Sequence, residues 1–398
     1  MDSEKAVSKS SSIFLWITAF FLLIGSMIFC YWYLWGRFET STKDAYVTGN
    51  MIAVNPQITG TVSAIYTENT QLVEEGQLLV ELDSTEAFIE LKEAEADLAQ
   101  TLRSVVKLFT DTQETRAQID IKKAELKQAM QDFEHRKGLI DQGGVSLEDF
   151  EHSENSLSAA YASLIFAEFR YKASMAQIKG TTVLTHPLVK KAEERLEAKW
   201  IKLKRCRILS PTKGIIAKRK VQVGETVGPE SNLLAVIPLD QVWVEANFKE
   251  KDLKNVRLGQ PVKITADFYG DEIIFNGKVL GLEGGTGSVF SVLPPQNATG
   301  NWIKIVQRLP VRISLSPDQI THYPLRLGLS LKVAIDTHNR LGEVLPKVSS
   351  ETKLYFSTVY AKQIDGVKEL IQTIIKDNVD FSLLDEDLDL LSKGQSTT

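Results

Sequence analysis

Cysteine is nearly absent from the chain, and that alone removes two classes of protein. The two that occur sit in unlike contexts, Cys30 in an apolar run and Cys206 at the end of a helical region. They make neither a disulfide framework nor a zinc-ligand spacing. The histidines, His135, His152, His186, His322 and His338, are scattered, with no pair at ligand spacing. A surplus of positive charge is missing too: the net charge is −5, so no basic face is offered to nucleic acid. The local signatures of catalysis are lacking as well. There is no nucleophile elbow, no HExxH and no nucleotide fingerprint. Gly284 to Gly287 is glycine-rich but lacks the strand–loop–helix context and the lysine of a phosphate loop, and reads as a hairpin turn. A protein that is not an enzyme, with no cofactor and no metal, is the expectation.

Proline is the next absence. From Thr85 to Arg207 the only one is Pro187, and the stretch reads as helix. Leu91, Leu98, Val105, Thr112, Ile119, Leu126 and Phe133 are spaced by seven and all but one are apolar. A heptad repeat sustained this long predicts a coiled coil. The pattern breaks at Lys137-Gly138 and at Gly143-Gly144, then resumes with Leu157, Leu164, Tyr171 and Ile178. Ser146 and Asp149 have capping-box spacing, which starts a second helix there. Two long helices with a short connection are antiparallel neighbours. The first arm, Thr85 to Lys137, is about 80 Å long at ~1.5 Å per residue, more than a compact domain needs. The descending arm is interrupted from Gly180 to His186. Pro187 then opens a new helix, with Val189, Leu196 and Leu203 in the seam.

The flanks of the hairpin echo each other. Gly60-Thr-Val-Ser-Ala-Ile, Val73 and Leu78-Leu79-Val80 precede it; Gly214-Ile-Ile-Ala-Lys-Arg, Val227 and Leu233-Leu234-Ala235 follow it. Gly60 to Val73 and Gly214 to Val227 are both steps of thirteen. Two β half-units, each too small for its own core, would close on each other and leave the hairpin projecting. Gly60, Gly76, Gly214 and Gly224 are read as their turn glycines.

Toward the N-terminus a polar tail (1–12) precedes an uncharged run from Ile13 to Trp35, roughly 34 Å as a helix and long enough to span a bilayer. Tyr31, Trp32, Tyr33 and Trp35 crowd one end, where an aromatic belt would lie. The run is long for a signal peptide and no small-x-small site follows, so a single transmembrane helix (13–35) is expected. The lead-in strand and first half occupy 45–84, the hairpin 85–207 and the second half 208–239. From 240 to 338 the texture is all-β: Val242–Phe248, Val262–Ala266, Phe275–Leu282, Leu309–Ile313 and Leu331–Ile335 alternate between glycines, as in a small barrel. In the tail (339–398), Ile364, Val367, Leu370, Ile371, Ile374 and Ile375 share one helical face. Acidic Leu384–Leu391 then reads as a frayed end or a partner-docking segment. The fold class is mainly β, with a long α-helical coiled-coil hairpin.

The β halves resemble biotinyl or lipoyl carrier domains. The modified lysine of such carriers has no counterpart, because Glu81-Leu-Asp-Ser-Thr85 runs straight into the insertion. A split lipoyl-like barrel-sandwich hybrid, a helical hairpin, a β-barrel and one anchor together resemble the EmrA-like periplasmic adaptors of the HlyD, or membrane fusion protein, family. The motifs that match are Lys43–Asn50, Pro56–Val62 with Asn69-Thr-Gln, His186-Pro187, Ser210-Pro211, Val221–Val227, Pro238–Glu250, Asn255–Pro261 and Pro294–Trp302; the tail after about His338 lies beyond them. The resemblance implies an inner-membrane, single-pass protein with most of its chain in the periplasm. It implies an inner-membrane major-facilitator drug exporter and a TolC-type outer-membrane channel as partners, and a homo-oligomer, trimer or hexamer. Multidrug efflux is the implied function. Export of proteins or aromatic acids with an ABC or other transporter, or a non-transport envelope spacer, are the alternatives. Adaptors of this kind often meet the channel through an arginine, a leucine four residues on and a serine seven further. Arg136, Ile140 and Ser146 approximate that pattern around Gly143 and Gly144, with isoleucine for leucine and the serine one residue early.

Overall fold

The computed structural model describes residues 5–34, 38–141, 143–287, 289, 306–345 and 353–380. Pro294–Trp302 and Leu384–Leu391 lie outside the described residues. Helix α1 (Lys5–Leu34) contains most of the expected anchor. Among the described residues no helix is long and apolar enough to cross a membrane. The unbroken run of described side chains in α1 is 14–27, roughly 20 Å at ~1.5 Å per residue, and all of them are exposed.

Strand β1 (Glu39–Gly49) is followed by β2 (Ile52–Val54), β3 (Gly60–Ile65), β4 (Leu72–Val73) and β5 (Leu78–Leu82). Three helices come next: α2 (Thr85–Ile140), α3 (Leu147–Ile178) and α4 (Pro187–Arg205). The chain returns through β6 (Arg207–Leu209), β7 (Gly214–Ala217), β8 (Thr226–Val227) and β9 (Leu234–Ile237). It continues through β10 (Val242–Lys249), β11 (Pro261–Ala266), β12 (Gly270–Leu282), β13 (Arg308–Leu315), the short α5 (Pro317–His322) and β14 (Ser330–Asp336). Helix α6 (Val367–Asn378) closes the described chain.

The two halves that flank the hairpin form one module. Its sheets run β2-β9-β7-β4 and β6-β5-β3-β8, so each draws two strands from before the hairpin and two from after it. The pairing follows the repeat. Gly60 lies opposite Val227, and Gly214 lies opposite Val73. Val62 and Gly224 exchange backbone bonds with their surroundings as Ile216 and Thr70 do: Gly224 N–H donates to Val62 O at 2.8 Å, Thr70 N–H to Ile216 O at 2.9 Å. Neither half could bury Leu79, Leu82, Leu234 and Ile216 alone; together they form one core.

The closed barrel is ordered β1-β10-β13-β12-β11-β14. Here the expected boundary at 240 needs correcting, because β1 is a barrel strand and not the lead-in of the sandwich. It pairs with β10 (Ala45↔Ala246) and, across a bulge between Thr42 and Ala45, with β14 (Thr42↔Val333). The other five strands alone would leave two open edges, and β1 removes both. Its inward positions become apolar only at Ala45 and Val47, so most of it lacks the alternation that marks a strand.

The hairpin seam is the heptad. Leu91, Leu98, Val105, Thr112 and Ile119 are buried on α2, and Val189 and Leu196 on α4. Thr112 bonds Ser174 across the seam at 2.7 Å, which satisfies the one polar position. Lys137-Gly138 is not a break: α2 runs through it to Ile140. One exposed glycine costs a helix only about 1 kcal/mol, and the seam continues beyond it. Pro187 stands at the start of α4, whose cap is His186, its ring accepting from Leu188 N–H at 3.3 Å. Of the expected apolar face in the tail, Ile364 lies in a separate 3-10 turn (Ala361–Ile364); the rest lies in α6, where Val367 and Ile371 are buried against α2 and α4.

Candidate docking site at the hairpin tip

A stiff arm concentrates what it can touch at its end. Here the end is built by a three-part turn. Helix α2 stops at Ile140, Gly143 takes a left-handed backbone (φ 67°), and Gly143 and Gly144 donate to the carbonyls of Ile140 (3.1 Å) and Leu139 (2.9 Å). Ser146 then caps α3. Its Oγ accepts from Asp149 N–H at 3.1 Å, the cap that the spacing implied, and donates to the Asp149 carboxylate at 2.6 Å. Arg136 reaches across: one guanidinium nitrogen donates to Asp149 O at 3.0 Å, while another pairs with Asp132 at 3.2 Å. Phe133 and Phe150 pack with ring centroids 5.4 Å apart just below.

The candidate contact residues therefore divide. Gly143, Gly144 and Ser146 are exposed at the tip. Arg136 and Ser146 spend their polar atoms inside the hairpin, and Ile140, seven residues after Phe133, is half-buried as the last seam residue. The free apolar surface comes from two residues the sequence reading passed over: Leu139, 45% exposed, and Leu147, 66% exposed. Both lie one residue off a position already assigned, Leu139 before the seam residue and Leu147 after the cap. The signal available was a leucine that neither the heptad nor the cap could use.

The Ser146 hydroxyl, and behind it the charge of Arg136, holds the Asp149 carboxyl below its ordinary range. A carboxyl depressed by folding stabilises above its unfolded pKa of about 3.9, and that contribution fades as pH falls through the lower folded value. The tip should thus loosen only below about pH 4. Ser146→Ala is expected to cost about 1 kcal/mol, as loss of a helix cap does, and to return Asp149 toward the usual carboxylate range. An NMR titration of Asp149 in both proteins reads the second effect; identical midpoints would rule out the cap as its source.

The glycines of the sandwich are of two kinds, which corrects their common reading as turn glycines. Gly76 (φ 80°) and Gly224 (φ 85°) do occupy turns. Gly60 and Gly214 are the first residues of β3 and β7, and their role is close approach: a Cβ on Gly214 would lie 2.5 Å from Ile237 O, and one on Gly60 would lie 3.3 Å from Leu82. Among the described residues no group of His, Cys, Asp and Glu could hold a metal ion.

Residues 85–206 match the family model described as the EmrA alpha-helical hairpin domain. The multidrug export protein EmrA of Escherichia coli K12 is 42% identical over 348 residues, covering 87% of this chain and 89% of its own. The probable multidrug resistance protein EmrK of the same organism is 39% identical over 381 residues, covering 95% and 98%. The EmrA of Haemophilus influenzae Rd is 38% identical over 383 residues, covering 94% and 97%. The 5% of this chain that the EmrK match leaves out is about 20 residues, fewer than the roughly 60 after His338. The tail is therefore not wholly outside the likeness, as the motifs alone implied.

Proposed function

Because the chain belongs to the EmrA family of multidrug-export adaptors, we propose that it bridges an inner-membrane major-facilitator exporter to a TolC-type outer-membrane channel. The run from Ile13 to Trp35 anchors it in the inner membrane as a single span, with the tail 1–12 in the cytoplasm and the bulk of the chain in the periplasm. Copies of the chain, three or six, pack side by side around the path of the exported compound. Transport energy belongs to the exporter, and this chain supplies reach and alignment.

One observation carries the reading. Helix α2 is a single 56-residue element, about 84 Å at ~1.5 Å per residue, lashed along its length to antiparallel partners. Its backbone bonds are internal, so it holds its length in water without a surrounding domain. Such an arm delivers Leu139 and Leu147 far from the sandwich, a geometry suited to contact at a distance.

Deleting the gene for this chain, with the exporter intact and expressed, should sensitise cells to hydrophobic toxicants. Unchanged resistance would count against the reading, and co-purification with an ATP-binding cassette transporter would replace the exporter half of it. Gly143→Val combined with Gly144→Val should distort the tip, since a β-branched residue in the left-handed region is disfavoured by at least about 1–2 kcal/mol. Reduced crosslinking to the channel is the expected outcome, and wild-type crosslinking would refute it.

A further inference from the structure

The chain passes between the hairpin and the sandwich at two places, and beside them Ala87 of α2 and Leu203 of α4 pack on the sandwich core. Asp83 and Ser84 separate β5 from α2, and Cys206 alone separates α4 from β6. Two single-chain crossings define a line, and an arm about 84 Å long could rock about it. A third connection spans that line from outside. After the barrel, the segment 353–380 runs past the sandwich and onto the base of the hairpin.

On the sandwich side it is held by Glu75, in the turn between β4 and β5. The Glu75 carboxylate accepts from Thr358 N–H (2.9 Å), Thr358 Oγ1 (3.0 Å) and Ser357 Oγ (3.4 Å). These bonds, the Thr358 N–H first, hold the carboxyl below its ordinary range. Gln363 adds a contact to Gln57 at 3.3 Å. On the hairpin side the Trp200 indole donates to Gln363 O at 3.2 Å, and Gly366 lies so near that a Cβ would stand 3.3 Å from the same ring. Helix α6 then buries Val367 and Ile371, and Val379 just after it, in one cluster with Leu91, Leu98, Leu102 and Leu196. The two attachments differ in kind. The hairpin side is a shared apolar core, while the sandwich side is held by exposed polar bonds, most of them to one carboxylate.

We propose that 353–380 is a clamp that sets the angle at which the hairpin leaves the sandwich, with Glu75 as its sandwich-side latch. Buried area fixes the clamp to the hairpin base, so the two move as one body. The latch joins that body to the sandwich, and its opening frees the rocking motion without unfolding either part. The clamp stands independently of what the hairpin tip meets.

The test uses the full chain in detergent with Cys30→Ser, leaving the buried Cys206 in place, and spin labels at Gln113→Cys on α2 and Glu230→Cys in the sandwich. Double electron–electron resonance reads the distribution of distances between them. Glu75→Ala removes the latch, and Ile371→Asp lifts α6 from the hairpin. Both should roughly double the width of the distribution, as expected for a freed hinge, and Glu75→Ala should do so with helical circular dichroism unchanged. Wild-type width in both variants overturns the clamp. Widening in Ile371→Asp alone overturns Glu75 as the latch.

Discussion

Leu98→Asp is expected to unseat the lower half of the hairpin. Leu98 is fully buried (0% exposed), at the point where α2 meets both α4 and α6. Loss of the leucine forfeits about 2–5 kcal/mol of burial and packing. An unpaired carboxylate in the same place adds several more, because no cation lies in that apolar cluster to receive it. Cations that flank the seam are already engaged, Arg195 with Asp97 and Lys199 and Lys202 with Glu90. A thermal melt followed at 222 nm should show an early transition that the wild-type protein lacks. Leu126→Asp gives the comparison. Leu126 is only half-buried near the tip, where a carboxylate can turn to water, so the loss should be much smaller. Equal melts for the two variants would show that the seam is not graded from base to tip as the burial indicates.

Gly214→Val should be nearly as damaging, by a different cause. Its Cβ would meet Ile237 O at 2.5 Å and Val236 Cγ1 at 2.8 Å. The first obstacle is backbone in the neighbouring strand, which cannot turn aside without breaking the Ile215↔Ile237 pairing. A loss on the order of 3 kcal/mol or more is expected from forced overpacking and the lost ladder. Gly60→Val, at the position related by the repeat, should cost roughly 1 kcal/mol, because the atom it meets is the flexible end of Leu82 at 3.3 Å. Denaturant midpoints of the two variants measure the difference. Two glycines that match in the sequence repeat thus carry unequal constraint. The repeat sets which strands pair, while the contacts of each copy depend on what the other strands bring against it.

Those two positions also mark how far the sequence could be read. The seam was legible because a heptad reports directly on burial: Leu91, Leu98 and Val105 are buried where the spacing put them. The Ser146 cap was legible because its partner is three residues away. Local and periodic relations leave a mark on the sequence, but relations across the fold leave less. Strand β1 went to the barrel although it adjoins the sandwich in sequence, since its partners are Ala246 and Val333, some 200 to 290 residues on. The latch on Glu75 joins residues 283 apart, and an exposed glutamate in a turn looks like any other. At the tip, Arg136 and Ser146 had the right identities for surface contact, yet the structure turns both inward. Leu139 and Leu147 were conspicuous only once the seam and cap had been fixed in space.

The measurement that bears most directly on the proposed bridge is site-specific photocrosslinking in intact cells. A photoreactive residue is placed at Leu139, at Leu147, and at Ile89, an equally exposed apolar position at the hairpin base. Adducts with the outer-membrane channel at Leu139 and Leu147 and none at Ile89 are expected. Adducts at Ile89 alone, or none at the tip while the exporter and channel are both present, would contradict it.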